Sequence, residues 1–252
     1  MALSKIEMEI LVERSKAKAA LKEIRPEPLE NGERMTRAEF ERRYEAMPHI
    51  KKAELIEGVV YMPSPVRHNR HAKPHRRVNA WITLYCEVTP GTDAGDNGTV
   101  RLDEENEPQP GISLFIEDFA GGAIRVSDDD YLEGAPELVF EVSASSKFVD
   151  LFEKKEAYRR NGVKEYVVWS VNDRKLDWFR LIKEKYVNAT PDANGVIRSR
   201  VFPGLWLNVP ALLAGEMSKV FDTLNQGLQS NEHTAFVKRL AKKMNKRQMR
   251  SA

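Results

Sequence analysis

VRLDEENEPQPGISLFIED, residues 100–118, opens the stretch that decides the fold, and APELVFEVSASS (135–146) and KEYVVWSV (164–171) complete it. The second and third segments each contain an apolar run without alternation, which is typical of central strands covered on both faces. A helical segment, with Asp150 as its possible N-cap, lies between these two strands. A strand, a helix and a strand in this order predict a right-handed parallel crossover.

The flanking sequence extends this unit into an α/β domain. Turn signals at residues 96–98 and 161–162 separate the predicted elements, and antiparallel strands are expected after residue 173. We therefore expect a mixed central sheet flanked by helices at 75–88 and 150–161, with strands near 100–102, 112–116, 137–142 and 164–171.

Helical extensions are expected at both ends. Residues 3–25 place apolar side chains at roughly helical spacing, so this segment is either a solvated helix or a docking or dimer helix. Seven Lys and Arg residues and no acidic residue follow Glu232, which predicts either a disordered arm or a phosphate-binding helix. The predicted organisation is an N-terminal helical extension (1–33), a core domain (34–208) and a basic, helical C-terminal extension (209–252).

The composition sets limits on compartment and partners. Hydrophobic residues make up 41% of the 252 residues, enough for a packed core, while the net charge of +2 does not by itself indicate nucleic acid. Cys86, the single cysteine, cannot form an internal disulfide and favours a reducing cytoplasm. Because no apolar run approaches ~18 residues and no secretory signal is evident, we expect a cytoplasmic protein without a membrane span.

A basic cluster precedes the first predicted buried helix. Residues 67–77, RHNRHAKPHRR, hold five Arg or Lys residues and three His residues, and Pro74 suits the start of a helix. A histidine metal site is disfavoured because no acidic or thiol ligand lies among these cations. The cluster is either a solvated face or a phosphate-binding surface. The candidate nucleic-acid-binding residues are Arg67, His68, Arg70, Lys73, Arg76 and Arg77.

Glu141 is the candidate metal ligand that the residues themselves indicate. It interrupts an apolar strand, where a carboxylate without a partner is costly, although a strand-end carboxylate facing water is the plain alternative. Hydrolysis of a phosphodiester calls for a hard cation held by carboxylates, with a lysine nearby. Position 143, two residues on, is a serine, so Lys154 or Lys155 of the next helix would supply that lysine. Glu54, before a turn, is by itself typical of a surface carboxylate.

Seven segments in order carry a resemblance between residues 35 and 207: MTRAEFE, ELIEG, MPSPVRH, TVRLDEENEPQP, EGAPELVFEVSASS, EKKEAYRRNGVKEYVVW and LDWFRL. In this order they resemble the putative restriction endonuclease family of the PD-(D/E)XK nuclease superfamily. The resemblance implies the restriction-endonuclease-like fold and a DNA endonuclease that uses Mg²⁺ or Mn²⁺. It implies Glu141 as metal ligand, Lys154 as the lysine that assists the attacking water, and Glu54 as the third catalytic residue.

Gly111 departs from the pattern of this family. The family's metal-binding Asp falls on position 111, and a missing carboxylate should weaken magnesium binding substantially. Asp103, Glu107 and Glu117 are acidic but stand out of register with the motif. Two interpretations stay open: a weakened nuclease, or a catalytically silent relative that binds nucleic acid or a protein. A homodimer is a further open expectation.

Overall fold

A computed structural model describes residues 13–14, 26–63, 65–144 and 146–251. Its α-helices are α1 Arg37–Glu45, α2 Lys73–Glu87, α3 Lys154–Arg160, α4 Val209–Ala214, α5 Met217–Leu228 and α6 Asn231–Ser251. Its strands are β1 Glu54–Ile56, β2 Val59–Tyr61, β3 Thr92–Asp96, β4 Val100–Arg101, β5 Ile112–Ile116, β6 Arg125–Val126, β7 Leu132–Glu133, β8 Leu138–Ser143, β9 Glu165–Ser170, β10 Lys175–Ile182, β11 Lys185–Asn188, β12 Val196–Arg198 and β13 Trp206–Asn208. The predicted helix over residues 3–25 lies almost wholly outside the described residues.

A six-stranded mixed sheet forms the centre of the fold, in the order β11-β10-β9-β8-β5-β3. β8 and β9 are parallel neighbours joined through α3, which confirms the parallel strand–helix–strand arrangement that was predicted. β5 runs antiparallel to β8, with Ile112 opposite Phe140, so the strand that follows residue 111 lies beside the strand that holds Glu141. The fold class is α/β with a mixed central sheet and flanking helices, as expected.

The two faces of the sheet are buried in different ways. Phe140 and Val142 of β8 join the main apolar core with Trp81 of α2, and α4, α5 and α6 contribute Leu212, Val220 and Phe236 to the same core. Alternate residues point to the other face, where Val139 packs with Tyr158 of α3. Glu141 lies on this second face because it is two residues after Val139.

The strand expected at 100–102 is not part of the central sheet, which corrects the prediction. β4 pairs in parallel with β7 in a separate sheet of order β4-β7-β6. The physical reason is that β3 already pairs with β5 along its whole length, from Thr92 opposite Ile116 to Asp96 opposite Ile112. The backbone amide of Val100 donates instead to the carbonyl of Pro108.

A second correction concerns the strands after residue 173. β10 and β11 form the expected antiparallel hairpin, but β12 pairs with β13, an element that the sequence pattern missed. Ile197 and Leu207, register partners in this pair, are both buried in the main core. Burial of their apolar side chains therefore stabilises the β12–β13 pair.

Each of the two helices near the predicted site begins with a π-helical turn. His68–Ala72 precedes α2, and Val149–Glu153 precedes α3. π-Helical turns are rare and occur frequently at functional sites. α3 ends as predicted, with Asn161 as its C-cap and Gly162 at a φ of +80°.

Candidate functional site

The four predicted site positions meet at one place. Nζ of Lys154 lies 2.8 Å from Oε1 of Glu54 and 3.0 Å from Oε1 of Glu141. The backbone amide of Gly111 donates to Oε2 of Glu141 at 3.1 Å. The β1–β2 hairpin, β5, β8 and α3 thus bring these positions together, although they are up to 100 residues apart in sequence.

The cluster is closed from solvent in this conformation. Glu54, Glu141 and Lys154 are 5%, 7% and 5% exposed. The backbone amide of Gln109 donates to Oε1 of Glu54 at 2.7 Å, and Nζ of Lys52 donates to the carbonyl of Gln109 at 3.0 Å. Three of the four carboxylate oxygens of the two glutamates therefore accept hydrogen bonds from protein donors. They are Oε1 of Glu54 and both Oε1 and Oε2 of Glu141.

Asp150 is a member of the cluster that sequence reasoning assigned to helix capping. It lies inside the π-helical turn Val149–Glu153 and is 2% exposed, so the N-cap prediction was wrong. Its Oδ1 lies 3.8 Å from Nζ of Lys154, and its Oδ2 accepts from the hydroxyl of Ser146 at 2.5 Å. The i, i+4 spacing from Lys154 was the signal that could have revealed this contact.

The ionisation of the cluster follows from its burial and from the shared lysine. Burial raises the pKa of Glu141; Lys154 opposes this, the charges of Asp150 and Glu54 add to it, and the net pKa is above the ordinary value. Burial also acts to raise the pKa of Glu54, but Lys154 and Lys52 outweigh it and the pKa is lowered. Burial lowers the pKa of Lys154 less than Glu141 and Glu54 raise it. Lys154 therefore stays protonated, and it lies between one carboxyl group whose pKa is lowered and one whose pKa is raised.

Both polar backbone groups of Gly111 have hydrogen-bond partners: its amide donates to Glu141, and its carbonyl has two contacts. Its carbonyl accepts from the amide of Asn97 at 3.1 Å and lies 2.9 Å from Nε2 of His75. A Cβ at position 111 would lie 3.6 Å from Oε2 of Glu141 and 3.0 Å from the carbonyl oxygen of Phe140. The φ of Gly111 is not in the left-handed region. A Cβ at position 111 would thus lie beside Glu141, and the Phe140 carbonyl would have to shift by a few tenths of an ångström.

The acidic residues considered as substitutes for the missing Asp lie elsewhere. Glu107 faces Glu41 next to Arg101, and burial followed by the hydrogen bond and charge of Glu41 raises its pKa to about 8. Asp103 accepts hydrogen bonds from the side chains of Asn106 and Asn161. Glu117 follows β5 at the end opposite Gly111. None of their contacts within the described part of the chain includes Lys154 or Glu141.

The basic cluster borders the site through two histidines. His71 stacks on His75 with ring centroids 5.7 Å apart, and His75 contacts the Gly111 carbonyl. His75 is buried, and Arg77 is half-buried with its guanidinium against the backbone at Gly215. The other predicted nucleic-acid-binding side chains are exposed: Arg67, His68, Arg70, Lys73 and Arg76.

The basic C-terminal segment is a helix, and it lies away from the site. α6 packs on residues 118–120, just beyond the end of β5 that is opposite Gly111. Arg247 donates to Oδ2 of Asp118 at 2.8 Å, which fixes this placement. Five residues of β5 span about 17 Å, which separates the contact of His75 with Gly111 from the contact of Arg247 with Asp118.

The donor set suits a hard divalent cation in charge and chemistry, but it supplies few ligands. Glu54, Glu141 and Asp150 place three carboxylates around the ammonium of Lys154. The charge of Lys52 also acts on the two glutamates, so three carboxylates face two ammonium groups. The buried hydroxyls of Ser143 and Tyr158, next along β8 and α3, have no hydrogen-bond partner among the described residues. Among those same residues, no group of three or more His, Cys, Asp or Glu side chains is arranged to hold a metal ion.

The mixed sheet, its parallel crossover and the flanking helices define an α/β protein. A model of the family Uma2, described as putative restriction endonuclease, matches residues 37–210, and the chain belongs to this family. A crystal structure of a putative nuclease belonging to DUF820 from Anabaena variabilis ATCC 29413 is similar at 12% identity and a TM-score of 0.45. That similarity covers 68% of this chain and 90% of the other. No match is found among curated proteins.

None of the described helices combines the length and the apolar composition that crossing a bilayer requires.

Proposed function

We propose that this chain is a DNA endonuclease that hydrolyses phosphodiester bonds with a weakly held Mg²⁺ or Mn²⁺ ion. One observation carries the proposal: Glu54 and Glu141 share Lys154 in a buried cluster, beside a glycine at the position of the family's carboxylate. Membership of a family described as putative restriction endonuclease supports the reaction class.

Glu141 would hold the ion, with Glu54 as a second oxygen donor. A bound ion lowers the pKa of a water molecule and neutralises phosphate charge. The surplus of carboxylates over lysine favours a cation at this position, whereas the lack of a carboxylate at Gly111 reduces the number of ligands. Weak and poorly oriented binding follows from that small number.

Lys154 has two roles in this proposal. Its ammonium, 2.8 and 3.0 Å from the two glutamates, fixes their relative position and prevents their mutual repulsion. The same positive charge would stabilise negative charge that develops on the phosphate, and would orient the attacking water. The Gly111 amide holds Oε2 of Glu141, which sets the orientation of that carboxylate.

The test is nicking of supercoiled plasmid with Mg²⁺, with Mn²⁺ and with a chelator. We expect slow nicking that requires the metal and is lost in Glu141→Ala. Lys147→Ala is the control, because Lys147 is an exposed lysine whose ion pair among the described residues is with Asp173. Metal-dependent nicking that persists unchanged in Glu141→Ala would refute the proposed site.

A catalytically silent, nucleic-acid-binding relative is the second candidate. Two observations favour it: Gly111 supplies no carboxylate, and three of the four glutamate oxygens already accept hydrogen bonds from protein donors. In that case the purified chain would bind DNA in a salt-dependent manner, and neither metal would produce nicking above the chelator control.

A further inference from the structure

Two phenylalanines next to the site are exposed to solvent. Phe148 is 66% exposed and Phe152 is 62% exposed, and their ring centroids are 5.0 Å apart with the planes tilted by 31°. We name them the aromatic pair. Two adjacent exposed rings form an apolar surface, and such surfaces on soluble proteins mark interaction sites when they are contiguous.

The aromatic pair is built into the element that carries the site lysine. Phe152 lies in the π-helical turn Val149–Glu153, which continues directly into α3 at Lys154. The inner side of this turn supplies buried Asp150 to the cluster, while the outer side presents the rings. Phe148 is the residue before this turn, so one continuous helical segment joins both rings to Lys154.

The basic cluster borders the same site from the neighbouring chain segment. The hydroxyl of Tyr61, at the end of β2, donates to Glu153 beside Phe152. Arg67 is only six residues further along the chain, and the basic cluster that it opens reaches the Gly111 carbonyl through His75. Exposed cations and exposed aromatic rings thus flank one cluster of carboxylates.

We propose that the aromatic pair stacks on the bases of a single-stranded DNA segment, whose phosphates are held by Arg67, Arg70 and Lys73. This inference rests on the proposed function, because it takes DNA as the substrate and adds the form of DNA. In a duplex the base faces are already stacked, whereas an unpaired strand offers free faces to aromatic side chains. Phenylalanine has no hydrogen-bonding group, so the contact is tolerant of base sequence.

Charge complementarity favours DNA over a second copy of the chain as the occupant. Arg67, Arg70, Lys73 and Arg76 are exposed near the site, and a symmetric interface through this surface would bring like charges together. A polyanion with exposed bases satisfies both the cations and the rings. Salt-dependent binding from the phosphates and salt-independent binding from stacking should therefore be separable.

The experiment is fluorescence anisotropy with a 20-nucleotide strand and with the same strand in a duplex, in chelator to prevent cleavage. We expect Phe148→Ala combined with Phe152→Ala to weaken single-strand binding about 5- to 150-fold per stacked base, at every salt concentration. Duplex binding and the salt slope should change little. A 2-aminopurine base in the strand should lose fluorescence on binding to the unsubstituted chain and not on binding to this variant.

Two further variants make the test specific. Val126→Ala removes a side chain that is 61% exposed on β6 and should leave both affinities unchanged. Phe148→Trp combined with Phe152→Trp keeps aromatic faces and should retain single-strand binding. Equal affinities of the alanine variant and the unsubstituted chain for the single strand would overturn the inference, and so would an equal loss on strand and duplex.

The remaining outcomes also decide the question. If the unsubstituted chain sediments as a dimer and the alanine variant as a monomer with unchanged DNA affinity, the rings are a dimer contact and the inference is wrong. If duplex is bound and nicked but the single strand is not preferred, only this inference fails. If neither form of DNA is bound at low salt, the proposed function fails and this inference fails with it.

Discussion

The backbone amide of Gly111 donates a hydrogen bond of 3.1 Å to Oε2 of Glu141. Where the resembled family pattern has an aspartate, position 111 of this chain presents an N–H donor to the facing glutamate. This place therefore has one carboxylate, that of Glu141, instead of two, and the Gly111 amide fixes its orientation. The cluster therefore relies on Lys154 for its internal balance of charge.

Loss of the shared lysine should destabilise the fold. Lys154→Met leaves Glu54 and Glu141 buried without their ion pair, and removal of one partner of a buried pair costs about 3–5 kcal/mol. Urea denaturation measures the free energy of unfolding. Lys147→Met is the control and should cost at most about 1 kcal/mol, because its pair with Asp173 is exposed.

A second variant separates charge from packing in the same experiment. Glu54→Gln and Glu141→Gln added to Lys154→Met remove both uncompensated charges and should recover most of the loss. If Lys154→Met costs no more than Lys147→Met, the ion pairs do not support the fold as described.

Stability should fall as the pH rises through neutrality because of Glu107. Burial, then the hydrogen bond and charge of Glu41, raise its pKa to about 8 from an ordinary value of 4.5. The folded state keeps a proton that the unfolded state releases, so this stabilisation is fully present below about 4.5 and is lost as the pH rises through about 8. We expect a decrease on the order of 2–4 kcal/mol between pH 5 and pH 8.

The substitution Glu107→Gln isolates the contribution of the Glu107 carboxyl group to this pH dependence. The backbone bonds of residue 107 to Leu55 are unaffected by the substitution, so the local pairing should persist. The free energy of unfolding of the variant should depend less on pH over this range than that of the unsubstituted chain. Parallel pH profiles for the two proteins would show that Glu107 does not hold the proton.

The two basic regions should contribute differently to DNA binding and cleavage. Arg70→Ala with Lys73→Ala removes exposed cations beside the site, and Lys242→Ala with Lys246→Ala removes exposed cations on the distant α6. Each lost phosphate contact should lower the slope of log affinity against log salt by about 0.9. Only the first pair should also slow nicking at saturating DNA.

Anisotropy at several salt concentrations, with nicking assays at saturating DNA, checks this difference. Binding that does not respond to salt would exclude phosphate contacts by either region. Slower nicking by the α6 pair at saturating DNA would contradict the placement of that helix away from the site.

Much of the central architecture follows from local sequence pattern. The apolar runs before and after α3 required central strands, and Glu141 stood out because a carboxylate among them needs a buried partner. Lys154 was predicted from motif order, and helical geometry then carries it back over the strand. These features are local or depend on one crossover.

The features that were missed depend on long-range contacts. β3, with the sequence TDAGD, has little strand propensity and is held by its pairing with β5. The clamp of Asn97 and His75 on Gly111 joins segments that are distant in sequence, so no spacing could reveal it. Asp150 was predicted as an N-cap from its position before a helical segment, and its burial beside Lys154 depends on the tertiary fold.

The most direct test of the central claim is Mg²⁺-dependent plasmid nicking by Gly111→Asp beside the unsubstituted chain. The new side chain would begin at a Cβ 3.6 Å from Oε2 of Glu141 and would add a carboxylate ligand for Mg²⁺. We expect a gain of roughly tenfold, which corresponds to about 1.4 kcal/mol of transition-state stabilisation. Gly111→Asn controls for side-chain volume and should gain little. Adding Glu141→Ala to Gly111→Asp should abolish the gain; no gain from Gly111→Asp, or a gain that survives the loss of Glu141, would contradict the account.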